Sequence, residues 1–281
     1  GVAGSSTTNA GAIGGAVTID TTDSAATITI SNITTTGGAA SADSDANGGA
    51  AGTITLTTHA DGSIILDDSR ITAAGGAGQG SGTQGAGASI SFGNKVELEG
   101  ASITIDTGAT GGNIELSDAL DGGLDVTLTA GTGDLNIGLN AAIGANTPLA
   151  SLSISAANLN LHDVTTTGAQ TYSSAGTITT NSTYTSAGGK ITFAGNVVIN
   201  DDSEGLVIDT TDAGKVAAGA AVTIEGLLDS ADGKSNNLTV TAGSGSVTFE
   251  EAIGSEEGGE LGALDIDTAG LTNFQSAIEA E

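Results

Sequence analysis

The sharpest motif in this chain is Asp43-Ser44-Asp45-Ala46-Asn47-Gly48, which fits the first six positions of a calcium loop. In such a loop Asp43, Asp45 and Asn47 present alternate oxygens to a hard cation, and the glycine allows a sharp bend. The bidentate Glu expected six residues after Gly48 is missing, because Ile54 stands there. A Ca²⁺ site therefore needs another carboxylate from a neighbouring segment, such as Asp20 or Asp23. The simpler reading of the same stretch is a solvated, glycine-rich loop with scattered acids. Other acidic groups are Asp201, Asp202 and Glu204; Asp229 and Asp232; and Glu250, Glu251, Glu256, Glu257 and Glu260. Like charges so close together oppose one another unless a cation screens them, but a solvated face is the simpler account of them.

Catalytic chemistry has little to work with. His59 and His162 are the two histidines, far apart in the chain with no evident partner. Ser and Asp are too abundant for a triad to be argued, and no HExxH, GxSxG or phosphate-loop motif occurs. Hydrolysis of sugars by paired carboxylates needs a groove that holds the sugar. Two Tyr, four Phe, and five Lys and Arg together, widely spread, offer little to build it from. The chain is expected not to be an enzyme. Rows of outward Thr (Thr53, Thr55 and Thr57; Thr239 and Thr241) raise an ice-binding reading, but the irregular loops argue against a regular array, and β-propensity explains them.

Charge narrows the partners. With 33 acidic against 5 basic residues the net charge is −28, so nucleic acid is excluded as a partner, since phosphate recognition needs clustered Lys and Arg. An anionic membrane surface is disfavoured likewise, and no apolar run is long enough to insert as a helix. The absence of cysteine is compatible with either side of a membrane. No initiator Met or leader-like apolar segment is seen, so the chain reads as a piece of something longer.

The elements that must hold these residues are short β-strands. Val, Ile and Leu recur at period two in runs of four or five, between turns of Gly, Asn, Asp and Ser. With 46 Gly, one Pro and almost no large aromatics, the expected interior is narrow and aliphatic. From Ala16 to about Leu120, a glycine-rich loop shrinks from copy to copy. The strand after it keeps one form: Ile54/Leu56, Ile90/Phe92, Ile114/Leu116. Farther on, TLTAGTGDLNI (Thr127 to Ile137) returns as TVTAGSGSVTF (Thr239 to Phe249). These repeats predict an all-β parallel β-helix solenoid with Gly-rich loop insertions rather than a sandwich. Residues 1–120 would form coils with long Gly-rich loops. Residues 121–281 would form coils of a multi-coil repeat unit whose copies contain those two stretches, in one continuous solenoid. At roughly 20–25 residues per coil, about 11–14 coils would stack into a rod on the order of 55–65 Å, with outward Thr and Ser forming hydroxyl ladders along one face.

The segment from Leu149 to Val197 resembles repeats of large bacterial surface proteins related to filamentous haemagglutinins. There a TTGAQTY element (Thr166 to Tyr172) is followed by a GGxITF element (Gly188 to Phe193), and LTVTAGSGSVTF (Leu238 to Phe249) has the same style. The resemblance implies a right-handed coil, an extracellular or cell-surface location, and a stalk or adhesin role. It also implies a ligand on a host cell, a neighbouring cell or the surrounding matrix. A self-assembling homopolymer, or continuation of a longer rod, and a polysaccharide-active β-helix enzyme are the alternatives. The acidic insert from Ser255 to Glu260, where the second repeat departs from the first, is the first place to look for a distinct role.

Overall fold

The alternating stretches become 24 strands and no helix among the described residues of the computed structural model, which are 10–21, 26–42, 45–138, 142–200, 205–255 and 258–279. Every strand pairs in parallel; 19 belong to one large curled sheet and 5 to a second, around a single apolar core. The arrangement is compatible with a β-helix or another solenoid.

Pairing follows three ladders that the chain visits in a fixed cyclic order. The first runs from Val17–Asp20 through Ile54–Thr57, Ile90–Phe92, Ile114–Leu116, Leu135–Ile137 and Leu159–Leu161. It continues through the second halves of Gln170–Thr180 and Ile191–Ile199, then Leu228–Ser230 and single bridges at Ile253 and Ile278. The second starts in Thr27–Thr34 and Ser63–Thr72. It then takes Val96–Glu99, Leu120–Asp121, Ile143, Val164–Thr166, Thr183–Ser186, Leu206–Asp209, Asn237–Gly243 and Ala263–Thr268. The third takes the far halves of Thr27–Thr34 and Ser63–Thr72, then Ser102–Asp106, Asp125–Thr129 and Ser151–Ala156. It ends through the near halves of Gln170–Thr180 and Ile191–Ile199, Val222–Ile224, Val247–Phe249 and Thr272–Phe274. Where one strand serves two ladders, the register slips at the corner, between Ile30 and Asn32 and between Ser173 and Thr177. A slip of this kind bends a strand without ending it.

Period-two alternation aims every second residue inward. On the first ladder Ile54, Ile90, Ile114, Leu135, Leu159 and Ile178 lie directly over one another, and none is more than 1% exposed. Burying each contributes about 1.5–3 kcal/mol. The paired forms Ile54/Leu56, Ile90/Phe92 and Ile114/Leu116 are thus consecutive rungs. The two copies of the long-range similarity fall differently. Thr127 to Ile137 leads from the third ladder to the first, whereas Thr239 to Phe249 leads from the second to the third. What recurs is a strand–turn–strand pair, placed one ladder out of step.

The aromatic residues also depart from expectation. Five of the six are in the core: Phe92, Tyr172, Tyr184, Phe193 and Phe249 are at most 1% exposed. Tyr172 stacks on Phe193 at 5.0 Å, and Tyr184 meets the edges of both at 5.3 and 5.1 Å. Tyr172 Oη donates to Gln170 Oε1 at 2.9 Å, and the Gln170 Nε2 donates to Thr166 Oγ1 and the Thr185 carbonyl. Tyr184 Oη pairs with Thr180 Oγ1 at 2.7 Å. The buried hydroxyls are satisfied, which is what allows tyrosine there.

Over their described residues, the long glycine-rich loops form tongues at the corner between the third and first ladders. Their amides bond to neighbouring legs at every third residue. Gly11, Gly14 and Val17 donate to the carbonyls of Asn47, Ala50 and Thr53; Gly48, Ala51 and Ile54 donate to Thr83, Ala86 and Ser89. Antiparallel bonds repeat the beat: Gly49 and Gly52 to Gly38 and Thr35, and Gly85 and Ala88 to Gly76 and Ala73. A three-residue beat is that of the polyproline II helix, which makes no internal hydrogen bonds and must find them in neighbours. Glycine is required because backbones touch: a Cβ on Gly85 would lie 1.9 Å from the Gly49 carbonyl oxygen.

Gly85→Ala is expected to lower stability by about 1–3 kcal/mol through overpacking. Gly15→Ala, where a Cβ meets nothing within 4 Å, is expected to leave the melting temperature unchanged. Thermal unfolding of both variants checks this.

Candidate functional site: tongue tips, corner cavities and a hydroxyl row

Asp45 and Asn47 sit at the exposed tip of the first tongue. Asp45 Oδ1 accepts the Ser81 amide and Asn47 Oδ1 accepts the Thr83 amide, each at 2.9 Å. Both side chains therefore link the first tongue to the second. Asp43 and Asp23 lie outside the described residues, and Asp20 ends a first-ladder strand with its side chain exposed. Gly48 answers a need other than the bend assigned to it: a Cβ there would stand 1.8 Å from the Gly76 carbonyl oxygen. Among the described residues no three His, Cys, Asp or Glu side chains gather closely enough to hold a metal ion.

The other acids are dispersed. Asp229 is 6% exposed, in the first-ladder strand Leu228–Ser230, and engaged with neighbours. With Asp232, Asn200 and Lys234 it lines a cavity of about 580 Å³, where Lys234 Nζ donates to Asn200 Oδ1 at 2.9 Å. Glu250 and Glu251 follow the last residue of Val247–Phe249 and face solvent, and Glu260 is half-buried. Glu256 and Glu257 lie outside the described residues, as do Asp201, Asp202 and Glu204. Asp121, 7% exposed, accepts the Asn146 amide at 2.9 Å and its Nδ2 at 2.8 Å, clamping the next turn of chain. Beside it Lys95 and Glu97 pair at 2.5 Å, and the Lys95 ammonium is held above its ordinary range first by that hydrogen bond.

His59 lies in an exposed turn, 3.6 Å from Asp61. His162 occupies the corner between Leu159–Leu161 and Val164–Thr166, and its Nε2 is buried without a hydrogen-bond partner. It lines a cavity of about 270 Å³ with Asp163, Asn181, Ser182 and Thr183. Ser182 Oγ donates to Asn181 Oδ1 at 3.0 Å, and Asp163 Oδ1 accepts the Thr183 amide at 2.8 Å. Both bonds hold the turn together.

One regular surface array emerges. The outward row of the third ladder carries a hydroxyl on seven successive rungs: Thr104, Thr127, Ser153, Thr171, Thr192, Thr223 and Thr248. Alternation alone places outward Thr and Ser in ladders. The three-ladder register supplies which residues share a row, information that their uneven spacing along the chain conceals. The irregular loops that argued against a regular array lie at the corners and leave this row in register.

Comparison with family models, with curated proteins and with solved structures finds no match to this chain.

Burial lowers the His162 pKa below its ordinary 6.5, opposed by the nearby Asp163 carboxylate. A depressed folded-state pKa favours the neutral ring, so its stabilisation is complete above pH 6.5 and is lost as pH falls through the folded value. Replacing His162 with Gln is expected to flatten the acid limb of the stability–pH curve between neutrality and the carboxylate range, measured by urea unfolding. Parallel curves would contradict the assignment.

Proposed function

We propose that this chain is a segment of a right-handed parallel β-helix rod belonging to an exported, surface-exposed bacterial scaffold or adhesin-like protein. The observation that carries the reading is the inward ladder from Val17 to Ile278, in which every turn sets an aliphatic residue over the last. A chain that visits three ladders cyclically, each step parallel, advances along an axis, and parallel crossovers of this kind are right-handed in about 98% of cases. Ten returns separate Val17 from Ile278, which at about 4.8 Å each makes a rod about 48 Å long. This is shorter than the sequence estimate because the two tongue-bearing turns, Val17 to Ile54 and Ile54 to Ile90, consume more chain than an ordinary coil. A stiff rod with a strongly acidic, hydrated surface suits a spacer that must project without sticking.

The polysaccharide-active reading has less support, since five of the six aromatic rings that could form a sugar platform are inside. Calcium at the tongue tip, through Asp43, Asp45 and Asn47, remains a proposal of the same reading, with the cation joining two tongues that Asp45 and Asn47 already bridge.

A second reading is a homopolymer or longer rod built by adding turns, since an open edge of a parallel ladder is a template for further strands.

Small-angle scattering and sedimentation of the chain test both readings. The rod reading expects an elongated particle of about 48 Å whose mass is independent of concentration. Growth with concentration at high salt, abolished by Ile278→Asp, would support the polymer; a spherical particle would contradict both. A melting temperature unchanged between excess Ca²⁺ and EDTA would remove the calcium proposal alone.

A further inference from the structure

We propose that the hydroxyl row of the third ladder is a face for ordered water, and that it binds the surface of ice.

Several features of the row set it apart from the rest of the molecule. The outward row of the first ladder, by contrast, reads Thr55, Ser91, Glu115, Asn136 and Asn160, breaking into acids and amides. On the third ladder the seven rungs from Thr104 to Thr248 carry no charge in their central row, in a chain of net charge −28. Several buried hydroxyls elsewhere are spent on the fold, although Thr21 Oγ1 is not: Thr35 Oγ1 donates to the Gly52 carbonyl, Thr107 Oγ1 to Gly112 and Ser186 Oγ to Gly189. None of the seven hydroxyls in the row has a partner within the protein among the described residues.

Thr192 adds an independent indication. Its side chain is outward by register, between Thr171 and Thr223, yet the residue is only 8% exposed. Its Oγ1 makes no bond within the protein yet is not sealed from solvent, since among the described residues the buried unpaired side-chain atoms are Thr21 Oγ1 and His162 Nε2. Water in the row therefore supplies its partner.

The geometry then selects the ligand. Rungs of a parallel ladder repeat at about 4.8 Å, close to the oxygen repeat along a prism face of hexagonal ice, and the register along these seven rungs has no slip. Six of the seven residues are threonine, whose branched Cβ restricts χ1. The hydroxyls are therefore fixed before binding, and each stands beside a methyl group that favours caged over bulk-like water. Pre-fixed groups lose little entropy on binding. A neutral glycan would present similar hydroxyls, but the row offers no aromatic platform: Tyr172 and Phe193 alternate with Thr171 and Thr192 and point inward.

Ice growth in the presence of the whole chain tests this, read as thermal hysteresis and as inhibition of recrystallisation. The native chain is expected to shape and slow ice crystals. A Thr127→Lys/Thr171→Lys variant, at two exposed positions, is expected to lose the effect with an unchanged melting temperature. A Thr55→Lys/Thr179→Lys variant, with the same charge change on the first ladder, is expected to keep it. The proposal is overturned if the native chain leaves ice growth unaltered, if both variants lose activity equally, or if the row binds neutral glucan while ice is unaffected.

Discussion

Everything in this molecule depends on one stacking constraint: each turn must set its inward aliphatic residues directly over those of the turn before. A parallel strand buried on one side cannot satisfy its backbone or its apolar face alone. Val17, Ile54 and Ile90 show how the constraint acts, since a long tongue separates each from the next and they still fall in register. Leu159, Ile178 and Val197 meet the same register over much shorter turns. The ladders tolerate this range because the variation is confined to the corners. A one-residue slip within a strand would turn the whole aliphatic set outward, whereas an added residue in a tongue costs little loop entropy.

The tongues solve the same backbone problem with a different repeat. Sheet pairing uses period two; the glycine-rich legs use period three, and bond to neighbours on more than one side. Ala40, Ala51 and Ala88, together with Gly49, Gly76 and Gly85, are buried there without any large side chain. Stability in that region comes from hydrogen bonds and close backbone contact, while from Ile90 onward it comes from apolar burial. The acids follow this division. Asp45 and Asn47 serve tongue backbones, Asp121 and Asp163 serve corner backbones, and among the described residues no three of the acids gather around an ion. Carboxylates accepting amide hydrogens stabilise the folded state as acceptors, so the acidic composition is partly structural.

Much of the architecture was legible because alternation is a local signal. Ile54/Leu56, Ile90/Phe92 and Ile114/Leu116 could be aligned by eye, and they are neighbours in space. The similarity between Thr127–Ile137 and Thr239–Phe249 was legible as sequence but misleading as position, since the same strand–turn–strand pair fits more than one corner. The tongues read as loops because a three-residue beat in Gly and Ala carries no apolar contrast. Tyr172, Tyr184 and Phe193 come together only through ladder pairing between distant strands, which no local pattern announces. Of the candidate site, Asp45 and Asn47 were found as oxygen donors, but their partners, Ser81 and Thr83, lie 36 residues away and are fixed only by tongue packing. The hydroxyl row was hidden for the same reason, since its members become neighbours only once the register is known.

The cyclic register is therefore the claim to test, and the absence of cysteine makes the test clean. Cysteine pairs at Thr55 and Ser91, and at Asn160 and Thr179, join positions that the first ladder sets side by side although they are distant along the chain. A pair at Thr55 and Glu97 places its members on different ladders. With a short bifunctional thiol reagent, the first two pairs are predicted to cross-link rapidly within one chain and the third to remain unlinked. Equal cross-linking of all three pairs, or failure of the ladder pairs, would contradict the account.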